Sequence, residues 1–332
     1  MIGARATHGA ACLAGATRRH ALVFALAVLA VAPARAQDAA AWLARAATAA
    51  RELNYVGTIA FHLGDRADTS RIVHLNEKGS QFEKLTSLDG PAREVIRGNG
   101  EVRCYFPDAR VVRVEPPSFR NAFPSLSPQQ QATLLEFYEF RKAETTRVAG
   151  LEAQAYVFEP KDGFRYGHKF WADTQTGLLL KARLLNERGE AIEQFAFLDV
   201  HIGARVDRDM VKPSWPPVPP DWEVKELDRG NIVTRETGWV ATKLPPGFVK
   251  VVEGYRSLSS RKSRIVHLMF SDGFVAVSVF VEPAGASAHP NGLSQRGPLS
   301  VYTRQVDDYL VTVLGEAPGA AVRQIAQSVT RR

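Results

Sequence analysis

The sequence predicts a mainly β protein of the α+β class, divided into two domains of unequal size. Short segments with alternating apolar and polar residues recur along the chain, and Gly, Asn, Asp and Pro clusters separate them. A proline-rich stretch from Pro213 to Pro220 interrupts this series, and prolines cannot supply regular ladder hydrogen bonds. Successive short strands favour antiparallel sheets with helices on one side, here strongly curved or partly closed.

Residues 1–36 have the order of a cleavable secretory signal. Arg18 and Arg19 precede an apolar run from Ala21 to Val31, and a small-residue cleavage site then places the new terminus at Gln37. As a helix this run would span only ~16 Å, against ~30 Å of membrane hydrocarbon. We therefore expect an exported protein that is soluble outside the inner membrane rather than an anchored one.

Residues 37–205 are expected to form the larger domain. A helix is predicted over Ala39–Leu53 with Asp38 as its N-cap, because Trp42, Ala46 and Ala49 fall on one face. Alternation begins at Tyr55 and continues after a second predicted helix start at Ser127-Pro128. The strands predicted before that point are 55–63, 70–75, 81–86, 93–97, 101–106 and 110–114.

Residues 206–228 are expected to be a proline-rich linker, and residues 229–332 a smaller α+β domain. A final helix should follow Pro318, because Val322, Ile325 and Ala326 recur at helical spacing. The strands predicted in this domain are 239–243, 248–256, 263–271, 274–282, 300–306 and 309–314, with a hairpin turn at Ser271-Asp272-Gly273.

Charge and cysteine content exclude several classes of protein. The formal charge of +7 falls to +3 once the four arginines of residues 1–36 are removed, which is too little for a nucleic-acid-binding footprint. Cys12 would leave with the signal, so Cys104 alone remains and no intramolecular disulfide can form. Because Cys104 lies in a strand-like run, we expect it to be buried and inert.

No spacing typical of catalysis or metal binding stands out. The chain has no HExxH, GxSxG or GxxxxGK motif. Ser259-Ser260-Arg261-Lys262 fits SxxK formally, but it lies in a polar, basic stretch rather than at a buried helix start. The histidines of the mature chain are scattered over different predicted strands and loops. We therefore expect no enzyme, metal or cofactor.

Two features instead suggest binding. The larger domain has more large apolar side chains than one sheet face needs, so they either fill a core or line a cavity for an acyl chain. The second feature is a basic loop in the smaller domain, formed by Arg256, Arg261, Lys262 and Arg264. This loop is either a solvated turn or a docking surface for an acidic peptide or a lipid phosphate.

Several stretches in a shared order resemble the RseB/MucB family of periplasmic regulators of the extracytoplasmic stress sigma factor. They are Leu88–Arg97 followed by Val102–Phe106, Trp171-Ala172-Asp173 with Thr176–Leu179, Glu187–Phe195, Trp239 with Leu244–Phe248, Phe270–Gly273, and Val311–Pro318. The resemblance extends from about Leu53 to Val329 and so covers both predicted domains.

The resemblance implies a fold and a function. The larger domain should be an unclosed antiparallel half-barrel with helices, similar to the lipoprotein carriers LolA and LolB. The protein should bind the periplasmic segment of an RseA- or MucA-type anti-sigma factor and shield it from regulated proteolysis. Acyl chains of lipopolysaccharide or mislocalised lipoprotein should release it. A periplasmic lipid or lipoprotein carrier is the alternative, and homo-oligomerisation stays open.

The family supplies no catalytic residues to transfer, so the site residues are assigned physically. The acyl cavity is assigned to Tyr55, Ile59, Phe61, Phe82, Phe170, Phe195 and Phe197. Partner docking is assigned to Arg256, Arg261, Lys262 and Arg264, together with the cleft between the domains. Alternation alone does not decide which strand face turns inward, because a register error of one residue inverts it.

Overall fold

The computed structural model describes residues 31–98, 100–115, 135–215, 217–226, 233–257, 264–285 and 291–332. These residues form two large sheets, antiparallel except for one parallel pair of strands, with one helix against each, and a separate two-stranded sheet. Among them, neither helix is long and apolar enough to cross a membrane. The predicted helix start at Ser127-Pro128 lies outside the described residues.

The larger sheet has twelve strands in the order β12-β6-β5-β4-β3-β2-β1-β11-β10-β9-β8-β7. Helix α1 precedes it and spans Val31–Glu52. The strands are β1 (Tyr55–Leu63), β2 (Arg66–Glu77), β3 (Ser80–Ser87), β4 (Glu94–Gly98), β5 (Glu101–Phe106), β6 (Val111–Glu115), β7 (Tyr138–Val148), β8 (Leu151–Pro160), β9 (Gly167–Asp173), β10 (Leu179–Leu185), β11 (Ala191–Ile202) and β12 (Glu223–Glu226).

The two border strands of this sheet, β7 and β12, do not pair with each other, so the half-barrel stays open. Helix α1 lies against one sheet face through Trp42, Leu43 and Ala46, which are buried together with aromatic residues of β7, β8 and β9. The expected open, antiparallel half-barrel with a helix on one side is therefore confirmed. Asp38 lies inside α1 rather than capping it, since the helix already begins at Val31.

Much of the stretch expected to be a linker is attached to the larger sheet. Strand β12 pairs in parallel with β6. The Glu94 carboxylate accepts hydrogen bonds from the Ser214 backbone N–H at 3.0 Å and hydroxyl at 2.5 Å. The Lys84 ammonium forms an ion pair with the same carboxylate, at 3.0 Å. Because backbone pairing and a buried carboxylate both hold the stretch, residues up to Glu226 extend the larger domain.

The smaller sheet has the strand order β13-β15-β16-β17-β20-β19-β18. Helix α2 (Gly319–Ser328) covers one face with Val322 and Ile325, and Arg304 donates to carbonyls at its end. The strands are β13 (Val233–Thr234), β14 (Trp239–Ala241), β15 (Val249–Ser257), β16 (Arg264–Ser271), β17 (Ala276–Pro283), β18 (Gly292–Arg296), β19 (Leu299–Val306), β20 (Tyr309–Gly315) and β21 (Val329–Arg331), of which β14 and β21 pair separately.

Candidate binding surfaces

An aromatic row crosses the sheet face that α1 covers, here called the inner face. Phe61 pairs with Phe195, Phe195 with Ala182, Ala182 with Phe170, and Phe170 with Tyr156. Side chains that face each other in an antiparallel pair lie on the same side of the sheet. The row therefore forms one continuous apolar strip over five strands.

Helix α1 covers one end of this strip. The Trp42 ring lies 4.6 Å from the Tyr156 ring centroid and 5.6 Å from that of Phe170. At the other end Phe61 and Phe195 remain half-buried. The strip thus has a covered part that stabilises the helix and a part that an apolar ligand could still contact.

A groove lies beside the covered end, between α1, the border strand β7 and its neighbour β8. Its volume is about 680 Å³, within the usual range for small-molecule sites. Trp42, Phe140 and Tyr156 provide apolar walls, and charged residues such as Arg45 and Lys142 line it as well. An apolar hollow next to charged side chains suits an amphiphile better than a fully polar ligand.

Six of the seven residues assigned to the acyl cavity share the inner face. Tyr55, Ile59 and Phe197 form a buried cluster, while Phe61, Phe195 and Phe170 belong to the aromatic strip. Phe82 is placed elsewhere. It pairs with Leu75 on the opposite face and is packed there with Val211.

The position of Phe82 has a simple cause. His74, the residue before Leu75, pairs with Tyr55, so Leu75 and its partner Phe82 point away from the inner face. The Arg208 guanidinium covers the Phe82 ring at 3.6 Å from its centroid. Phe82 therefore stabilises the outer face and does not line the same hollow as the other six residues.

The smaller domain inserts an aromatic side chain into the inner face. The Phe274 ring lies 4.6 Å from His168, 5.2 Å from Phe158 and 5.4 Å from Tyr138, measured between centroids. Phe274 directly follows the predicted hairpin turn at Ser271-Asp272-Gly273, which the structure forms between β16 and β17. The turn therefore makes the contact between domains as well as reversing the chain.

Arg165 lies at the centre of this domain junction. Its side chain is fully buried in the loop between β8 and β9, and its Nε is 2.9 Å from Oδ2 of Asp272, whose side chain is 1% exposed. Arg165 also pairs with Asp162 and donates to the Pro246 carbonyl oxygen. The Phe137 ring stacks against the guanidinium, 4.4 Å from its centroid. A buried cation held by both domains fixes their relative position.

Burial shifts the pKa values of groups at this junction. It raises the pKa of the Asp272 carboxyl, against the opposite effects of the Val275 backbone N–H and the Arg165 guanidinium. Burial lowers the pKa of His168 to about 4, so its ring is neutral at neutral pH. Burial also raises the pKa of Tyr138 well above its usual range. The junction therefore disfavours added charge that lacks a partner.

Sequence reasoning missed the Arg165–Asp272 pair. Lys161-Asp162-Gly163 and Ser271-Asp272-Gly273 both form turns, but turn chemistry does not reveal that a neighbouring arginine bridges them. The available signal was the excess of aromatic residues near both turns, such as Phe164 and Phe274. Turns in which aromatic side chains adjoin charged ones are candidates for contacts between domains.

The two described arginines of the predicted docking loop do not share a face. Arg256 lies with its guanidinium 5.7 Å from the Phe280 ring centroid, on the sheet face that carries His267. Arg264 pairs with Ser257, one position further along, and is exposed on the other face. Arg261 and Lys262 lie outside the described residues.

The remaining cysteine is less buried than expected. Cys104 lies on β5 and is half-buried. Burial raises the pKa of its thiol, while nearby arginines act in the opposite direction. The thiolate that would react is therefore disfavoured, which agrees with an inert role.

Both domains match known family models. The model of the MucB/RseB N-terminal domain matches residues 38–215, and that of the MucB/RseB C-terminal domain matches residues 233–330. This chain belongs to the MucB/RseB family. The family resemblance inferred from short stretches of the sequence is confirmed.

Relatives with regulatory names extend over most of the chain. The sigma factor AlgU regulatory protein MucB of Pseudomonas aeruginosa is 31% identical over 315 residues, covering 91% of this chain and 94% of MucB. The sigma-E factor regulatory protein RseB of Escherichia coli K12 is 26% identical over 282 residues, covering 85% and 87% of the two chains. The likeness thus includes both domains of each relative.

Solved structures of MucB share the arrangement of this family member. The crystal structure of MucB in complex with MucA(peri) matches with a TM-score of 0.70 at 30% identity, covering 89% of this chain and 99% of that one. A crystal structure of MucB matches with a TM-score of 0.59 at 28% identity, covering 89% and 98%. The structure that contains MucA therefore has the higher TM-score of these two.

Proposed function

We propose that this chain is a periplasmic regulator that binds the periplasmic segment of a membrane-bound anti-sigma factor and protects that segment from regulated proteolysis. The likeness to MucB in complex with MucA(peri) carries the proposal, because it extends over both domains. The Arg165 junction also supports the proposal, because an anti-sigma segment that contacts both domains would need them in one fixed relative position.

The proposed partner surface includes, besides the cleft between the domains, the edge of the smaller domain where β16 begins, at the opposite end of that strand from Asp272. Arg264 is exposed there, and an exposed guanidinium can pair with carboxylates of an acidic segment in a bidentate manner. Arg256 contributes less to this surface because its guanidinium packs against Phe280. Arg264 thus supplies positive charge to this surface, and the sequence places Lys262 and Arg261 two and three positions before it.

A protease-protection assay tests the regulatory function. The purified mature protein is mixed with the periplasmic segment of the anti-sigma factor from the same organism and then with the protease that makes the first regulated cut. We expect slower cleavage with the wild-type protein and faster cleavage with Arg264→Glu. Arg323→Glu is the matched control, because Arg323 is exposed on α2 of the same domain. Equal cleavage with and without the wild-type protein would refute the proposal.

The proposed release signal is an acyl chain on the open part of the aromatic strip, around Phe61 and Phe195, as on lipopolysaccharide or lipoprotein. A ligand releases the partner only if it binds the free regulator better than the complex. Tyr55, Ile59 and Phe197 pack beside the strip on the same face, and Phe170 lies under α1. These four residues therefore shape the hollow, while Phe61 and Phe195 would contact the acyl chain.

A fluorescent fatty-acyl probe tests the lipid site. Phe195→Ala should weaken probe binding about tenfold, because about 1.5 kcal/mol or more of apolar contact is lost. Phe280→Ala is the control, since Phe280 is a half-buried phenylalanine of the smaller sheet. Equal weakening in both variants would show that the probe does not use the strip.

The half-buried aromatic strip also favours a second function, a periplasmic carrier of lipid or lipoprotein. The two assays separate the functions in the full-length chain. A carrier would bind the acyl probe through Phe195 and leave cleavage of the anti-sigma segment unchanged. A regulator would slow that cleavage and lose the protection when the acyl ligand is added.

A further inference from the structure

The outer face of the larger sheet carries three cationic side chains around one tryptophan. Trp171 and Phe170 are neighbours on β9, so Trp171 points away from α1. Lys181 pairs with Trp171 across the strands, and Arg183 pairs with Lys169. The charged ends of Lys181, Lys169 and Arg183 lie 4.8, 4.9 and 5.5 Å from the Trp171 ring centroid.

The acidic groups nearby do not balance these charges. Lys169 pairs with Glu144 at 2.8 Å, and hydrogen bonding to Lys169 lowers the pKa of that carboxyl. Arg183 donates through Nε to the neutral amide of Gln194 at 2.6 Å. Within the described parts of the chain, no carboxylate lies within ion-pair distance of Lys181. The group therefore has three positive charges and one negative charge.

Covering the tryptophan does not require this arrangement. One or two long basic side chains can shield an outward aromatic ring and extend their charged ends into water. Here three charged ends lie within 5.5 Å of the centroid of a single ring, and like charges gathered around one ring repel each other. Burial, then Arg183, then Lys169 lower the pKa of Lys181. An anion between the three groups would relieve this repulsion.

We propose that Lys181, Lys169 and Arg183 form a binding site for a phosphate-type dianion on the outer face. The site is separate from the aromatic strip, because it lies on the opposite side of the sheet, and it does not depend on the anti-sigma partner. Phosphate fits the donor set, since guanidinium and ammonium groups both donate charge-assisted hydrogen bonds to its oxygens. The group that binds is either free phosphate or a phosphomonoester on a larger molecule.

Calorimetric titration of the full-length mature protein with inorganic phosphate, at low ionic strength and pH 8, tests the site. We expect saturable binding that Lys181→Gln weakens about tenfold or more. Lys181→Arg should keep binding close to the wild-type value, because it restores a cation over the ring. Lys225→Gln removes the same charge on β12, far across the same sheet in strand order, and should leave binding unchanged.

Vesicles distinguish the source of the phosphate. Co-sedimentation with phosphatidic acid vesicles but not phosphatidylcholine vesicles, lost in Lys181→Gln, would support a lipid headgroup as the ligand. Phosphate binding without co-sedimentation would support a free or small phosphomonoester. The proposal fails if inorganic phosphate shows no saturable binding, or if Lys181→Gln and Lys225→Gln behave alike while both melt at the wild-type temperature.

Discussion

Replacing Arg165 by methionine should destabilise the protein more than any ordinary surface change. The arginine side chain is fully buried and Asp272 is 1% exposed, so the substitution leaves a buried carboxylate without its cation. Breaking such a buried pair costs about 3–5 kcal/mol, a large part of the ~5–15 kcal/mol that stabilises a typical domain. We expect this loss in the free energy of unfolding, measured by urea titration and far-UV circular dichroism.

The loss should depend on pH. Burial already raises the pKa of Asp272 in the folded chain, and removal of Arg165 raises it further. The folded state then binds a proton that the unfolded state has released, so stability falls as pH rises from the unfolded pKa of ~3.9 to the folded value. Arg165→Met should therefore be least harmful at about pH 4 and below, and most harmful at and above neutral pH.

Two variants complete the test. Arg165→Met combined with Asp272→Asn should recover part of the loss, because no charge then remains buried. Arg141→Met is the matched control, since Arg141 is exposed and lies 3.9 Å from Glu159, and exposed pairs contribute about 0–1 kcal/mol. If Arg165→Met unfolds at the wild-type urea concentration at pH 8, the junction does not stabilise the protein as described.

Two further predictions concern acid and backbone strain. Burial lowers the pKa of His168 and, together with Arg256, that of His267 to about 4. Below the unfolded-state pKa of ~6.5, the unfolded chain binds protons that the folded chain does not bind. Each histidine should therefore lower the free energy of unfolding by roughly 2 kcal/mol at pH 5. His168→Phe should reduce this acid loss by about half in urea titrations, and an unchanged pH profile would contradict the assignment. Gly247→Ala should destabilise by more than about 1 kcal/mol, because φ is +78° and a Cβ would overlap the Phe137 ring. Gly150→Ala is the control, because Gly150 has φ +80° and no atom near the added Cβ, so it should lose only the stability due to backbone strain. Equal losses of melting temperature in the two variants would show that overlap with the Phe137 ring does not contribute.

The strands of both sheets could largely be predicted because alternation is local. Strand β5 has the predicted bounds Glu101–Phe106, and β19 differs from its prediction by one residue at its start. The final helix follows Pro318 as predicted. The start of α1 was misplaced, since alanine-rich sequence before Asp38 continues the helix and polar residues at Asp38 do not stop it.

The candidate site was only partly predictable because it depends on pairing between distant strands. The assignment of Phe61, Phe170 and Phe195 to one face agrees with the observed register. The position of Phe82 on the outer face could not be predicted, because the face it occupies depends on the registers of two successive strand pairs. Arg165 could not be found from local pattern at all, because Pro246, one of its partners, lies 81 residues further along the chain.

The smaller domain is joined to the larger one at two separate places. The chain leaves the larger sheet at β12, which is one border strand. Arg165 pairs with Asp272 of the smaller domain from the loop between β8 and β9, near the other border. Loss of the Arg165 contacts would therefore leave the two domains joined through the chain that follows β12. The covalent connection keeps the two domain surfaces at an effective concentration of about the millimolar range even when the Arg165 contacts are absent.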